Sequence, residues 1–146
     1  MTTWHCVIPG QPIGKGRPRV ARRGSGVVAY TPAPTRRWEA IAATTMAQEW
    51  GARAPLDEPA QAAIVARFSR PQRLICKHKR ACSCSPEAVP HVTRPDADNV
   101  AKAVLDAAQA GGVLRDDCLV WQITVVKTYA AQDSGPAVEL RLWWGE

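Results

Sequence analysis

The sequence has no long apolar run, an odd number of cysteines and few acidic residues in its first two-thirds. Each of these features argues against a class of protein. No run of about 18 apolar residues is present, so neither a transmembrane helix nor a membrane partner is expected. Residues 1–5 contain no basic segment that leads into an apolar one, so no secretory signal is predicted and the expected location is the cytoplasm. The five cysteines are an odd number, which argues against a disulfide framework.

The chain has 146 residues, of which 46% are hydrophobic, and this size and composition predict one compact domain at residues 1–146. Charge is distributed unevenly along it. Residues 1–95 carry 15 Lys and Arg against 5 Asp and Glu, whereas residues 96–146 carry 4 against 8. The basic part implies a polyanionic partner such as nucleic acid. The acidic part would repel that partner unless a divalent cation neutralised it. A solvated acidic face explains the charge equally well.

Hydrophobic periodicity and turn residues predict an α+β fold, in which two helices pack on a small mixed sheet. The order is β, loop, α, β, loop, α, β, β, and the last two strands are expected to pair as an antiparallel hairpin. The two basic loops, at about residues 9–34 and 69–95, have a length typical of functional or disordered segments. The predicted strands are residues 4–8, 61–68, 119–129 and 138–144, and the predicted helices run from an N-cap at Thr35 to about residue 50 and from Asp98 or Asn99 to about residue 110. Cys6 and Cys118 lie in apolar, strand-like segments and are predicted to be buried thiols.

Carboxylates are concentrated where the second predicted helix begins. Asp96 and Asp98 stand two residues apart in extended chain, so both can converge on one cation, and Asp98 can also cap the helix. Helical spacing places Lys102 and Asp106 on the same face as Asp98, with apolar residues on the opposite face, toward the core. A Gly-Gly turn after this helix lets the acids at residues 116–117 return toward it.

These carboxylates predict a Mg²⁺ site, since Mg²⁺ binds one or two protein carboxylates and keeps several waters. Such a cation would neutralise the repulsion between the acids and DNA, acidify a bound water and stabilise the charge that develops during phosphodiester hydrolysis. Lys102 would position the water or offset charge on the phosphate. Each acid also has a structural explanation, as a cap, a surface pair or a turn residue. Asp96, which capping does not require, favours the metal site.

The segment at residues 95–106, PDADNVAKAVLD, resembles the PDxDNxxKxxxD signature of the RusA family of Holliday junction resolvases. GVLRDD at residues 112–117 resembles the family's downstream GxxxDD element, and the strand that follows ends at Lys127, also as in that family. IPGQP at residues 8–12, KGRPR at residues 15–19 and YTP at residues 30–32 resemble its opening strand, its basic loop and its approach to the first helix. The resemblance covers nearly the whole chain.

The resemblance implies a RusA-like fold and a homodimeric endonuclease that resolves Holliday junctions, which are four-way DNA branches, by paired symmetric nicks in recombination and repair. The reaction would depend on Mg²⁺, with Mn²⁺ as a substitute. By motif position, Asp96, Asp98 and Asp117 are implied as catalytic, metal-binding carboxylates and Lys102 as a catalytic lysine. Asp116 stands beside them as a further candidate ligand.

Two more implications follow from the same resemblance. Asp106 also matches the signature, with a structural, capping or pairing role left open. Dimerisation is physically reasonable, because two opposed DNA strands need two cuts and a two-fold dimer supplies two identical sites. The family is common in phages and prophages, which implies such an origin and a location in a bacterial or phage-infected cell.

Basic residues cluster in the first loop and near the start of the first helix, where they are predicted to contact the phosphates of a DNA arm. The alternative is a disordered basic loop that only aids solubility. Most aromatic residues fall within strand or helix patterns, so Tyr30 is the best candidate for stacking on a base. The predicted DNA-binding residues are Lys15, Arg17, Arg19, Arg22, Arg23, Arg36 and Arg37.

The second loop holds cysteines and a histidine, a ligand set that suggests structural Zn²⁺. The spacing differs from the usual CxxC knuckle, so reduced thiols without metal are favoured over zinc. His91 has a separate interpretation, as a residue that lies near the active site or fixes the loop. The candidate zinc ligands are Cys76, Cys82, Cys84 and His91.

Three functions are compatible with these features. The preferred one is hydrolytic nicking of Holliday junctions by a Mg²⁺–carboxylate site. The second is a non-catalytic module that binds branched DNA and whose acids are structural. The third is a flap or fork nuclease with the same metal chemistry. An Asp98→Asn variant separates the first two, because it keeps the size and capping ability of the residue and removes its charge.

Overall fold

The computed structural model describes residues 1–16, 18–75 and 89–145. These residues form two α-helices, a mixed five-stranded sheet and a separate two-stranded sheet, which confirms the predicted α+β class. No helix within these ranges is long and apolar enough to span a membrane. The helices are α1 (Ala33–Trp50) and α2 (Ala97–Ala110), and the strands are β1 (Thr2–Pro9), β2 (Arg19–Arg23), β3 (Gly26–Tyr30), β4 (Ala60–Phe68), β5 (Val89–Pro90), β6 (Val120–Tyr129) and β7 (Ala137–Trp144).

β4 lies at the centre of the large sheet, whose strand order is β1-β7-β4-β6-β5. Its Ile64 pairs with Val125 of β6 in parallel and with Leu140 of β7 in antiparallel orientation. The predicted β6–β7 hairpin is therefore wrong, because β4 separates the two strands. Burial alternates along the whole of β4 between buried and half-buried residues, and such an apolar strand is stabilised by partners on both edges. The connection at residues 130–136 is long enough to cross one strand.

The core lies between the helices and the large sheet. α2 buries Val100, Val104 and Ala107, the apolar face that the sequence predicts. At the other side of the core, the ring of Trp50 on α1 meets that of Trp4 on β1 edge to face, with centroids 5.4 Å apart. Because α2 buries this apolar face, the rotation of α2 about its own axis is fixed. The opposite face, which carries the acids and the lysine of the motif, is therefore directed away from the core.

Both helices begin earlier than predicted. α1 begins at Ala33, so Thr35 lies inside the first turn and is buried instead of capping the helix. Proline is tolerated in this turn because the N–H that it lacks would have no helical partner there. α2 begins at Ala97 with Asp96 at the N-cap, so Asp98 lies within the first turn. A carboxylate is favourable there, since a helix N-terminus carries partial positive charge.

The stretch predicted as a loop at residues 9–34 contains a β-hairpin. β2 pairs antiparallel with β3, and Gly24 and Ser25 form the turn between Arg23 and Gly26. Gly24 has a φ of +63°, which glycine adopts without steric cost and which suits tight hairpin turns. Every residue of both strands is exposed. The hairpin has no buried face, so the sequence shows no alternation that would predict it.

The predictions for Cys6 and Cys118 have opposite outcomes. Cys6 is buried on β1, as predicted, and burial together with the nearby charge of Glu49 raises the pKa of its thiol to about 11. Cys118 is exposed, so the prediction of a buried thiol is wrong. It lies in a short 3₁₀ helix, Asp117–Leu119, that precedes β6 and is not part of the sheet.

Candidate active site

The start of α2 directs two carboxylates to solvent. Asp96 occupies the N-cap in an extended conformation, and its side chain makes no capping hydrogen bond. Asp98 follows in the first turn, and both residues are exposed. Within the described ranges, neither carboxylate forms a hydrogen bond or an ion pair. Both are therefore available to a ligand.

A chain of alternating charges connects α2 to the N-terminal segment. The Lys102 ammonium lies 2.5 Å from Oδ2 of Asp117 and 3.0 Å from Oδ1 of Asp106. The other oxygen of Asp106 lies 2.8 Å from the ammonium of Lys15, which is also 2.7 Å from Glu39 on α1. The fold thus brings Asp117 back to α2. It also places Lys15 against the other oxygen of Asp106, and Glu39 against Lys15.

These ion pairs stabilise the charged forms of their members. Asp117 and Asp106 accept hydrogen bonds from Lys102 and raise its pKa above the usual value. Burial favours a higher pKa for Asp106, but hydrogen bonds from Lys15 and Lys102 outweigh burial and lower that pKa. Burial favours a lower pKa for Lys15, but its bonds to Asp106 and Glu39 together outweigh burial and raise that pKa. These contacts therefore favour the charged ammonium form of Lys102.

The two acids at residues 116–117 have different partners. Asp116 precedes the 3₁₀ helix, and its carboxylate accepts a 2.9 Å hydrogen bond from the backbone N–H of Cys118. Hydrogen bonding to Cys118 also lowers the pKa of Asp116. Asp117 instead faces Lys102 on α2. The geometry therefore gives Asp116 a capping position and Asp117 a position beside the motif on α2.

An open cleft of about 720 Å³ lies beside Asp96. One wall is the N-terminal segment at residues 14–16, and the other is formed by residues at and just before the start of α2. The backbone N–H of Lys15 donates to the carbonyl oxygen of Asn99 over 2.8 Å. Gly14 packs so closely that an added Cβ would lie 2.6 Å from Cβ of Pro95. The contact between these two walls therefore requires glycine at position 14.

The donors at this site fit a hard cation such as Mg²⁺, which takes oxygen ligands and usually keeps several waters. Asp96 lines the open cleft, and Asp98 is exposed in the adjacent turn. Asp117 is engaged by Lys102, so it would join them only by exchanging that partner. In the part of the chain that the structure describes, no three Asp, Glu, His or Cys side chains lie close enough together to hold a metal ion.

The predicted DNA-binding residues fall into separate groups. Most are exposed, either on the β2–β3 hairpin or near the start of α1, where they are accessible to a phosphate backbone. Lys15 differs, because its ammonium is held between two carboxylates. Tyr30, the candidate for stacking on a base, lies at the end of the hairpin and is 44% exposed. Arg17 lies outside the described residues, and the exposed group consists of Arg19, Arg22, Arg23, Arg36 and Arg37.

His91 is buried in an aromatic stack. Its ring lies parallel to that of Phe68, with centroids 3.7 Å apart, and meets the ring of Tyr129 edge to face at 5.0 Å. Burial lowers the pKa of His91, and the charge of Lys127 lowers it further. This packing fixes the chain just before the acidic motif, as one of the two interpretations of His91 expects. The other candidate zinc ligands lie outside the described residues and are Cys76, Cys82 and Cys84.

The structure adds residues that the sequence analysis missed. Arg94 and Asn99 line the cleft beside Asp96. Both lie within or next to the acidic motif, and that position is a signal that points to them. Glu39 gives no such signal, because it is 24 residues from Lys15 along the chain and only folding brings the two together.

Comparison with known proteins gives one family. The model of the family described as Endodeoxyribonuclease RusA matches residues 9–142 of this chain. The matched range includes both helices, the cleft and every member of the charge chain. The comparison with curated proteins gave no match.

Proposed function

We propose that this chain, which belongs to the RusA family of endodeoxyribonucleases, is a Mg²⁺-dependent resolvase that cuts Holliday junctions by paired symmetric nicks. The observation that carries the proposal is the pair of exposed carboxylates, Asp96 and Asp98, at the start of the helix that carries Lys102, which is itself paired with Asp117. Family membership supports endonuclease activity, and the open cleft supports access by a large substrate. Resolution of such branches is a step of DNA recombination and repair.

In the proposed mechanism, Asp96, Asp98 and Asp117 would be the carboxylates that hold Mg²⁺, or Mn²⁺ in its place. When bound there, the cation would supply charge neutralisation, an acidified water and stabilisation of the leaving oxygen. Lys102 turns from Asp117 toward the scissile phosphate and donates to an oxygen on which negative charge increases in the transition state. Asp106 remains bonded to Lys102 and keeps its ammonium oriented.

The DNA is proposed to lie across the cleft, with its backbone against the exposed arginines of the hairpin and of α1. Such phosphate contacts position DNA without reading its sequence, which suits an enzyme that selects branch shape. Two strands must be cut at symmetric positions. We therefore propose a two-fold homodimer as the active species, because it supplies two identical sites.

The test is cleavage of a synthetic four-way junction, beside linear duplex, flap and fork controls, with Mg²⁺ and with EDTA. Asp98→Asn is the diagnostic variant. Asp133→Asn is its matched control, because Asp133 is an exposed aspartate in the turn between β6 and β7. We expect paired symmetric nicks on the junction alone, lost with EDTA and with Asp98→Asn and retained with Asp133→Asn. Binding of Asp98→Asn should equal or exceed that of the wild type, since one repulsive charge is gone.

Other outcomes would support other functions. Junction binding without cleavage, across several metals and sequences, would favour a non-catalytic module for branched DNA. Preferential cleavage of flaps or forks would favour a nuclease with the same chemistry and a different branch preference. A monomer at concentrations that support paired nicking, measured by sedimentation, would contradict the proposed homodimer.

A further inference from the structure

We propose that Lys15 is a positioning residue of this active site, which orients Lys102 through Asp106 and makes no direct contact with DNA. The inference rests on the proposed function, in which the Lys102 ammonium contacts the phosphate. It replaces the sequence-based assignment of Lys15 to phosphate binding.

The surroundings of Lys15 are unsuited to a phosphate. Carboxylate oxygens of Glu39 and Asp106 lie 2.7 and 2.8 Å from its ammonium, so they occupy two of its three hydrogen-bond donors. The connected cluster contains three carboxylates and two ammonium groups, an excess of one negative charge. Lys102 also contacts two carboxylates, but its side chain is 52% exposed against 29% for Lys15, and the proposed cation would neutralise Asp117 beside it. A phosphate that approached Lys15 would meet two carboxylates that no proposed cation neutralises. The exposed arginines of the hairpin carry no such neighbours among the described residues.

Asp106 links the position of Lys15 to that of Lys102. Its Oδ2 bonds to Lys15 at 2.8 Å and its Oδ1 bonds to Lys102 at 3.0 Å. Because both oxygens belong to one planar carboxylate, the bond to Lys15 determines where the second oxygen points. Lysine has a flexible four-carbon stem, and the Lys102 side chain is 52% exposed. Without a fixed Asp106, its ammonium would occupy a wider range of positions.

The Lys15 side chain acts separately from the backbone that carries it. The Lys15 N–H bonds to the Asn99 carbonyl, and Gly14 packs against Pro95. Neither contact uses the Lys15 side chain, so truncating it leaves the wall of the cleft in place. Partly exposed ion pairs also contribute little to folding stability. Loss of the Lys15 ammonium should therefore slow the reaction without unfolding the protein.

The first experiment separates the cleavage rate from DNA affinity. Lys15→Met removes the ammonium, Lys15→Arg restores a cation, and Arg53→Met is the matched control, because Arg53 is an exposed cation over the Trp50 ring, just beyond α1. We measure the single-turnover rate on a four-way junction with Mg²⁺ at saturating enzyme, and the Kd of the uncut junction without metal. Lys15→Met should lower the rate about 10- to 100-fold, as expected for a misplaced catalytic group, while Kd changes by less than about twofold. Lys15→Arg should recover part of the rate, and Arg53→Met should match the wild type.

A second experiment observes Lys102 without requiring cleavage. In protein labelled with ¹³C,¹⁵N-lysine, the Cε–Nζ correlation of Lys102 should shift or broaden in Lys15→Met and in Asp106→Asn, and remain in place in Arg53→Met. The double variant Lys15→Met/Asp106→Asn should cleave no more slowly than Asp106→Asn alone, because the two residues act through one link.

The opposite results would overturn the proposal. Weaker junction binding with an unchanged saturated rate would make Lys15 a DNA contact. An unchanged Lys102 signal in Lys15→Met, or a double variant whose losses multiply, would show that Lys15 does not act through Asp106. If the wild type cut no DNA while the Lys102 signal shifted as expected, the link would be supported and the proposed nuclease function contradicted.

Discussion

The Lys102 ammonium on α2 lies 2.5 Å from a carboxylate oxygen of Asp117, a residue 15 positions further along the chain. The contact keeps Lys102 charged and compensates the charge of Asp117. In the proposed mechanism the two groups must separate, because both are needed elsewhere. A divalent cation beside Asp117 would supply the positive charge that Lys102 withdraws.

The two acids at residues 116–117 should behave differently when each is replaced by alanine. Asp117→Ala should lower the cleavage rate at least about a hundredfold, because even residues that only support a metal ligand contribute about 10- to 100-fold, and it should leave the fold intact. Asp116→Ala should lower the melting temperature, because it removes the hydrogen bond to the Cys118 N–H, and retain most of the activity. Cleavage assays and circular dichroism measure both effects. Equal inactivation of the two variants would contradict the capping position of Asp116.

Mg²⁺ should stabilise the folded protein through the carboxylates at the start of α2. A cation that binds only the native state adds about 1.4 kcal/mol to the free energy of unfolding at ten times its Kd. The melting temperature should therefore rise with MgCl₂ relative to NaCl of equal ionic strength. Asp98→Asn should reduce the rise and Asp133→Asn should keep it. A rise of the same size in both variants would show that Mg²⁺ binds elsewhere.

Gly14→Ala should damage both stability and activity. The added Cβ would lie 2.6 Å from Cβ of Pro95 and 3.2 Å from Cβ of Asn99, so the N-terminal segment must move away from α2. Overpacking of this kind costs about 1–3 kcal/mol, and the displaced wall should lower the cleavage rate. Gly135→Ala is the control, since no atom lies within 4 Å of a Cβ added there. Equal stability of the two variants in urea denaturation would contradict the close packing of Gly14.

His91 should make the stability depend on pH. Burial holds the pKa of His91 below its ordinary value of 6.5, so the unfolded chain binds more protons than the native protein between these two pKa values. The contribution of neutral His91 is therefore complete above the unfolded pKa and is lost as pH falls through this window. His91→Phe retains an aromatic ring on Phe68 and cannot be protonated. Between about pH 7.5 and 5.5, its free energy of unfolding should fall less than that of the wild type, as measured in urea. Identical pH profiles would exclude titration of His91 in this window.

Part of the candidate site follows from local sequence. The apolar spacing of α2 determines that Val100 and Val104 face the core, and the same period places Lys102 and Asp106 together on another face. Their 3.0 Å contact bears this out. The hairpin and the start of α1 were less predictable. The hairpin is exposed on both faces, so its sequence shows no alternation of apolar and polar residues. Proline is tolerated in the first turn of α1, so this helix begins before Thr35, the predicted N-cap.

By itself, the sequence determined the α+β class, the buried face of α2, the division into a basic and an acidic part and the motif that resembles RusA proteins. These properties depend on residues that are neighbours or lie one or two helical turns apart. The tertiary structure alone decided that β4 lies between β6 and β7, that Asp117 and not Asp116 faces Lys102, and that Lys15 lies between Glu39 and Asp106. Such contacts join segments that are distant in the chain. Their choice depends on how the whole core packs, and no local stretch of sequence contains that information.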